Sequence, residues 1–297
     1  MFEAIEFPSE GATLRGRLYT RSVDAPTLVM AHGTSATITM IADAYAEGFH
    51  AAGLNVLLYD HRNFGSSDGE PRQEINPWIQ ARGYRDAVRW LRAERGAARV
   101  ALWGDSYTAM IVLVLGALID DIAAVVAQIP ATGIQLPEVT PDAAALASLA
   151  ETLEDGDVSG GPEHTTGPIA VVSPDQLSAA SLLAPVQAFR WFMEYGGRFG
   201  TKWENRVTRV IPPTPVPFHP ILTAAHLTMP VQVIVGKDDE MIHCNRDVQA
   251  AVYDAIPDGA KEWHEIEGGH FGLLYNPGDL FDTSLALQSA FLTRVLL

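Results

Sequence analysis

Apolar residues along this chain come in short, uninterrupted blocks, and each block gives way to a stretch in which they recur every three to four positions. Residues 3–7 and 12–20 alternate apolar and polar, with PSEGA between the two runs, and predict a starting hairpin. TLVMAHG (27–33), LNVLLYD (54–60), RVALWG (99–104) and IAAVVAQIP (122–130) read as buried strands. Between them, 39–52 and 77–95 carry helical spacing, the latter with apolar positions at 84, 87, 88 and 91 and Pro77 in its first turn. Residues 106–119 form an almost wholly apolar helical stretch. The alternation resumes with a strand at 230–236, a helix at 245–256, a strand at 261–267 and a helix at 278–297.

Strands alternating with helices imply βαβ units, and strands apolar on both faces imply a mostly parallel sheet covered by helices on each side. Residues 131–220 break the pattern: they are Ala-rich, punctuated by Pro and Gly, and carry the acidic run ETLEDGD and the proline cluster IPPTPVPFHP. APVQAFRWFMEY (184–195) looks helical, and no strong strand is evident. The expectation is an α/β core of 1–130 and 221–297 with an inserted helical cap at 131–220.

With 47% apolar and 19% charged residues, the 297-residue chain is able to bury a large core. A formal charge of −16 argues against nucleic-acid binding and against attraction to anionic membranes. The single cysteine, Cys244, excludes an intrachain disulfide and fits a reducing compartment. The N-terminal MFEAIEFPSE does not resemble a signal peptide, and MIVLVLGALI falls short of the about 20 apolar residues a bilayer needs. The expectation is a cytoplasmic protein.

Three polar interruptions fall where predicted strands end. WGDSYTAM places Ser106 between a buried strand and a buried helix, with Gly104 allowing a sharp turn. VGKDDEMIH puts Asp238 and Asp239 after the strand 230–236, and EGGHFGLL puts His270 after the strand 261–267. Serine needs a base to become a nucleophile, and the base needs a group that orients it, so Ser106, one of the two aspartates and His270 make a coherent set. All would lie at C-terminal ends of parallel strands, where open α/β sheets build sites. The backbone N–H groups of Tyr107, at a helix N-terminus, and of Thr34, in HGTSA, would hold a developing oxyanion.

VMAHG, LLYDHRNFGSSDGEPR, WGDSYTAM, VIVGKDDEMIH and EGGHF together resemble the α/β-hydrolase superfamily. D-x-R-x-F-G-x-S-x-G-x-P-R with G-x-S-Y is similar to its dienelactone-hydrolase and acetyl-xylan-esterase-like branch, which includes polyketide-processing thiohydrolases and transferases. The resemblance implies a Ser-Asp-His triad with no metal and no organic cofactor. Its G-x-x-D spacing, counted from Gly236, selects Asp239 over Asp238. Two positions depart from the pattern: Thr108 stands where the elbow usually has glycine, and His243 stands where a proline follows the acid.

Plainer roles are expected elsewhere. Asp105 would cap the following helix, Asp60 and Arg62 would fix the DHRNFGSSDG loop, and Cys244 would be inert. His32, Trp191, Phe192 and Tyr195 are expected at the substrate pocket. The nine histidines contain no H-x-H or H-E-x-x-H pair, so no metal site is expected. The chain then reads as a serine hydrolase of a small to medium, fairly apolar carboxylic ester or thioester, working through an acyl-enzyme. The same triad would serve acyl transfer, as in polyketide processing, if an alcohol or amine replaced water. A non-catalytic small-molecule receptor on the same scaffold is the reading from another class. Serine at 106 excludes the carboxylate-nucleophile chemistry of epoxide and haloalkane hydrolysis. The Ala/Leu-rich C-terminal helix offers a surface for a homodimer.

Overall fold

The computed structural model describes residues 1–259 and 261–297. Eight strands form one sheet: β1 (Glu3–Ser9), β2 (Ala12–Tyr19), β3 (Thr27–Ala31), β4 (Asn55–Tyr59), β6 (Val100–Asp105), β7 (Ile122–Gln128), β11 (Val231–Gly236) and β12 (Lys261–Ile266). Their spatial order is β1-β2-β4-β3-β6-β7-β11-β12. The hairpin β1–β2 pairs antiparallel within itself and onto β4, while every pairing from β4 to β12 is parallel.

Continuous apolar strands bury both faces, as the alternation along β3 shows. Leu28 and Met30 point into one core, and Val29 and Ala31 into the other. The first core is closed by α1 (Ala42–Ala51) and α7 (Asp279–Leu296), through Tyr45, Phe49, Phe281 and Phe291. The second is closed by α2 (Pro77–Arg95), α3 (Tyr107–Leu118) and α6 (Arg246–Ala255), through Tyr84, Val88, Leu91, Ile111 and Val252. Asn76 caps α2 by accepting from the N–H groups of Trp78 at 3.1 Å and Ile79 at 3.4 Å, and Pro77, which has no N–H to lose, takes the first position.

Between β7 and β11 lie α4 (Ala143–Glu154), β8 (Thr165–Val172), β9 (Ser181–Leu183), α5 (Val186–Gly196) and β10 (Val207–Val210). Two helices lie in this segment, and strands stand beside them. β8, β9 and β10 join β5 (Glu74–Ile75) in a second, four-stranded sheet of order β5-β10-β8-β9. Gly167 and Pro168 break β8, and β10 has only VTRV, so neither shows a strand signal on its own. Pairing across about 40 residues of sequence is what makes them strands. β5 comes from the loop after β4, outside 131–220, so this sheet stitches the insertion to the core.

Candidate active site

β6 runs into α3 through a turn too tight for ordinary residues. A Cβ on Gly104 would stand 2.3 Å from the Thr108 carbonyl oxygen, so only glycine lets the helix fold back this closely. Ser106 sits at φ 52°, a left-handed conformation that costs a serine energy and recurs at functional turns. Its N–H donates to the Gln128 carbonyl at 2.8 Å, and its carbonyl accepts from Ala131 at 3.0 Å. The strain is held by the neighbouring strand.

Thr108, the departure from the usual elbow, is part of this support. Its hydroxyl donates to the Asp105 carbonyl at 2.8 Å and accepts from the Asp105 N–H at 3.1 Å. Contrary to the expectation from the sequence, Asp105 does not cap α3. The N-cap position is Ser106, which makes no side-chain cap bond. The Asp105 carboxyl instead lies beneath the turn, with Oδ1 3.2 Å from the Thr108 hydroxyl and Oδ2 3.1 Å from where a Cβ on Gly33 would sit. Burial raises its pKa to about 6 against the lowering pull of His270.

The two aspartates after β11 separate clearly. Asp238 is exposed, whereas Asp239 Oδ2 stands 2.9 Å from His270 Nδ1 and its Oδ1 accepts from the Met241 N–H at 2.9 Å. Glu240 adds a second tether, accepting from the His270 backbone N–H at 2.7 Å. With Nδ1 engaged by the carboxylate, the neutral ring carries its free lone pair on Nε2. Ser106 and His270 line the same cavity, and no hydrogen bond joins them among the described residues. In free enzymes such contacts are commonly long until substrate binds.

That cavity has a volume of about 400 Å³ and a largely apolar wall. Thr34 and Tyr107 line it beside Ser106, as do Trp191 and Phe192 from α5. Asp60 secures the turn that carries Thr34, accepting from the N–H groups of Ile38 at 3.0 Å and Ser66 at 2.9 Å. Two residues expected at the pocket are elsewhere. His32 is sealed in the core between His61 and Phe64, its Nδ1 2.9 Å from the Gly33 carbonyl, and burial lowers its pKa to about 4. Tyr195 stacks behind Trp191 at 5.1 Å and accepts from the Asn276 N–H at 2.8 Å, so it buttresses the wall rather than forming it.

Cys244 is closer to the site than its sequence position suggested, with Sγ 3.5 Å from His270 Nδ1. Asp239, Cys244 and His270 bring donor atoms within 4.8 Å of one another. Burial pushes the Cys244 thiol well up, away from the thiolate that a metal requires, and the facing Asp239 and His270 atoms already engage each other. The donor set therefore suits a hydrogen-bonded cluster. Glu240, Met110, Thr132 and His219 also meet the site or its cavity and were missed in the sequence. Only Glu240 carried a signal, as the third acid of the DDE run.

A family model described as the alpha/beta hydrolase family matches residues 28–283. A thiohydrolase of Aspergillus aculeatus, aneE, is 31% identical over 311 residues, covering 99% of this chain and 94% of the relative. A polyketide transferase of Aspergillus fumigatus, af380, is 28% identical with 98% of each chain covered. The crystal structure of the alpha/beta hydrolase GrgF from a Penicillium species superposes with a TM-score of 0.71 at 24% identity, covering 100% of this chain and 99% of that one. An esterase of Pyrococcus furiosus superposes with a TM-score of 0.62 at 15% identity, with 100% and 93% covered. No helix among the described residues is long and apolar enough to cross a membrane.

Proposed function

The chain belongs to the alpha/beta hydrolase family, and from that premise we propose that it is a serine-dependent hydrolase of carboxylic esters or thioesters with a small to medium, fairly apolar acyl group. What carries the reading is the 2.9 Å pair of Asp239 and His270 in the same cavity as a serine held at positive φ. In the proposed cycle His270 Nε2 takes the Ser106 proton as the hydroxyl attacks the acyl carbonyl. Asp239 holds the ring's tautomer and stabilises the imidazolium. The N–H groups of Thr34 and Tyr107 receive the tetrahedral oxyanion. His270 then returns the proton to the leaving alcohol or thiol, and a water activated by the same nitrogen releases the acid.

The cavity supports the substrate class: about 400 Å³ with an apolar wall suits a medium acyl chain. The segment 131–220 acts as a cap in this reading, which is supported by the Trp191, Phe192 and Val210 side of the cavity wall that α5 and β10 supply. The polyketide-transferase relatives favour a second reading, acyl transfer to an alcohol or amine acceptor. The test is a fluorophosphonate probe and a chain-length series of p-nitrophenyl esters and N-acetylcysteamine thioesters, run on the wild type and on Ser106→Ala. Labelling and turnover that vanish in the variant are expected, with a drop of about 10³-fold or more. A folded wild type that takes no label would overturn the assignment and favour a receptor. Labelling with turnover only when an acceptor is added would select transfer.

A further inference from the structure

The mostly apolar cavity carries one permanent cation that the proposed cycle does not use. Arg209, on β10, is the single Lys or Arg among the residues that line it. Arg209 is exposed, and its guanidinium makes no hydrogen bond or ion pair among the described residues. In a chain of formal charge −16, carboxylates are plentiful, and nearby arginines find them. Arg206 pairs with Glu204 at 3.0 Å, and Arg198 with Glu194 at 3.1 Å. The acid of the cavity wall, Asp105, does not serve Arg209: it lies buried beneath the elbow turn, beside Thr108, and the charge that acts on it is that of His270. Glu74, on the adjoining strand β5, feels Arg62 instead.

Two residues of the wall show where that charge sits. Burial raises the pKa of the Tyr107 phenol, and the positive charge of Arg209 pulls it the other way. Burial lowers the pKa of His243, and the same charge lowers it further. Both line the cavity, Tyr107 directly after Ser106 and His243 just past the Asp239 loop, so the guanidinium lies on the cavity side of β10. The backbone that carries it is held on both flanks, with Arg209 opposite Ile75 of β5 and Thr166 of β8. His243, kept neutral, adds a polar group on the same wall without a competing negative charge. Screening decides between this local charge and the acidic chain as a whole. Over more than about 8 Å at physiological ionic strength the distant carboxylates are largely screened, whereas an anion touching Arg209 is not. A guanidinium meets a carboxylate through two parallel N–H donors, a match that a neutral group of the same shape lacks.

Resting on the hydrolase reading, we propose that Arg209, with His243 on the same wall, forms an anion subsite at the cavity mouth that selects esters and thioesters carrying a carboxylate over neutral ones of the same shape. Two sets of probes differ only in that charge. N-acetylcysteamine thioesters of adipate, suberate and sebacate, each against its terminal amide, place the carboxylate on the acyl chain. Octanoyl thioesters of mercaptopropionate and mercaptopropionamide place it on the leaving thiol. Thiol release by the wild type gives kcat and KM, and calorimetry on Ser106→Ala gives binding without turnover. In one of the two sets the acid is expected to exceed the amide about tenfold in kcat/KM, mainly through KM, and the gap is expected to shrink at high salt. The set that responds tells which end of the substrate Arg209 holds. Arg209→Gln is expected to bring the ratio to about one, Arg209→Lys to keep part of it, and Arg209→Glu to turn the preference toward a chain ending in an ammonium group. Arg209→Gln and Arg209→Lys differ in charge at similar size, so they hold the test if Arg209→Glu unfolds. Acid and amide handled alike in both sets, or a preference unchanged in Arg209→Gln, would overturn the subsite. The binding arm keeps this separate from the hydrolase reading: acid-selective binding without turnover retains the subsite and rejects the chemistry, and turnover without charge preference does the reverse.

Discussion

Replacing Thr108 tests how the strained serine is held. Valine keeps the shape of threonine and removes only the hydroxyl, which donates to the Asp105 carbonyl at 2.8 Å and accepts from the Asp105 N–H at 3.1 Å. Thr108 is fully buried, so neither backbone group recovers a water partner easily. Each orphaned group costs about 1–3 kcal/mol, so Thr108→Val is expected to cost about 2–6 kcal/mol. Serine keeps the hydroxyl and loses one methyl, for about 1 kcal/mol. At roughly 2 °C for each kcal/mol in a chain of this size, valine lowers Tm by about 4–12 °C and serine by about 2 °C. Loosening the turn displaces Ser106, so kcat/KM toward a p-nitrophenyl ester falls about tenfold or more for valine and little for serine. Urea unfolding and steady-state kinetics on the pair give both numbers. If valine costs no more than serine in either, the hydroxyl's bonds are not what secures the turn.

Asp239→Asn is expected to reduce kcat by about 10³–10⁴-fold while Asp238→Asn changes little, because only the first reaches His270; a reversed ranking in ester kinetics would reject the geometry. His219 titrates with stability. Its folded pKa, about 4, lies below the ordinary value of 6.5, so the unfolded chain binds the proton first and stability falls as pH drops through this window. Between pH 7 and 4 the stability advantage of wild type over His219→Gln should shrink by about 3 kcal/mol in urea unfolding, and a constant difference would contradict the assignment. Gly104→Ala places a methyl 2.3 Å from the Thr108 carbonyl oxygen and should cost about 3 kcal/mol and most of the fluorophosphonate labelling. Met110→Trp fills space at the cavity wall, so the preferred acyl chain in an ester series should shorten.

The parallel core and the order of the site residues were legible in the sequence, because both rest on local patterns. Buried strands announce themselves as unbroken apolar runs, and the spacing of helix α2 matched residue for residue. Gly104 and Ser106 were readable because a sharp turn between two apolar elements leaves few residue types possible. What tertiary structure decided depends on residues far apart in the chain. Which of the two aspartates stands beside a histidine about 30 residues away depends on the fold, which brings Asp239 to 2.9 Å from His270. His32 looked like a pocket residue from its place before Gly33, yet packing against His61 and Phe64 turns it into the core. The small sheet of β5, β8, β9 and β10 has no strong local signal, since its strands are short or broken by Gly and Pro and gain their hydrogen bonds only from one another. Thr132 and His219 carry no motif at all. They meet the cavity only because the fold brings segments far apart in the chain to one wall, a property of the assembled structure that no stretch of sequence contains.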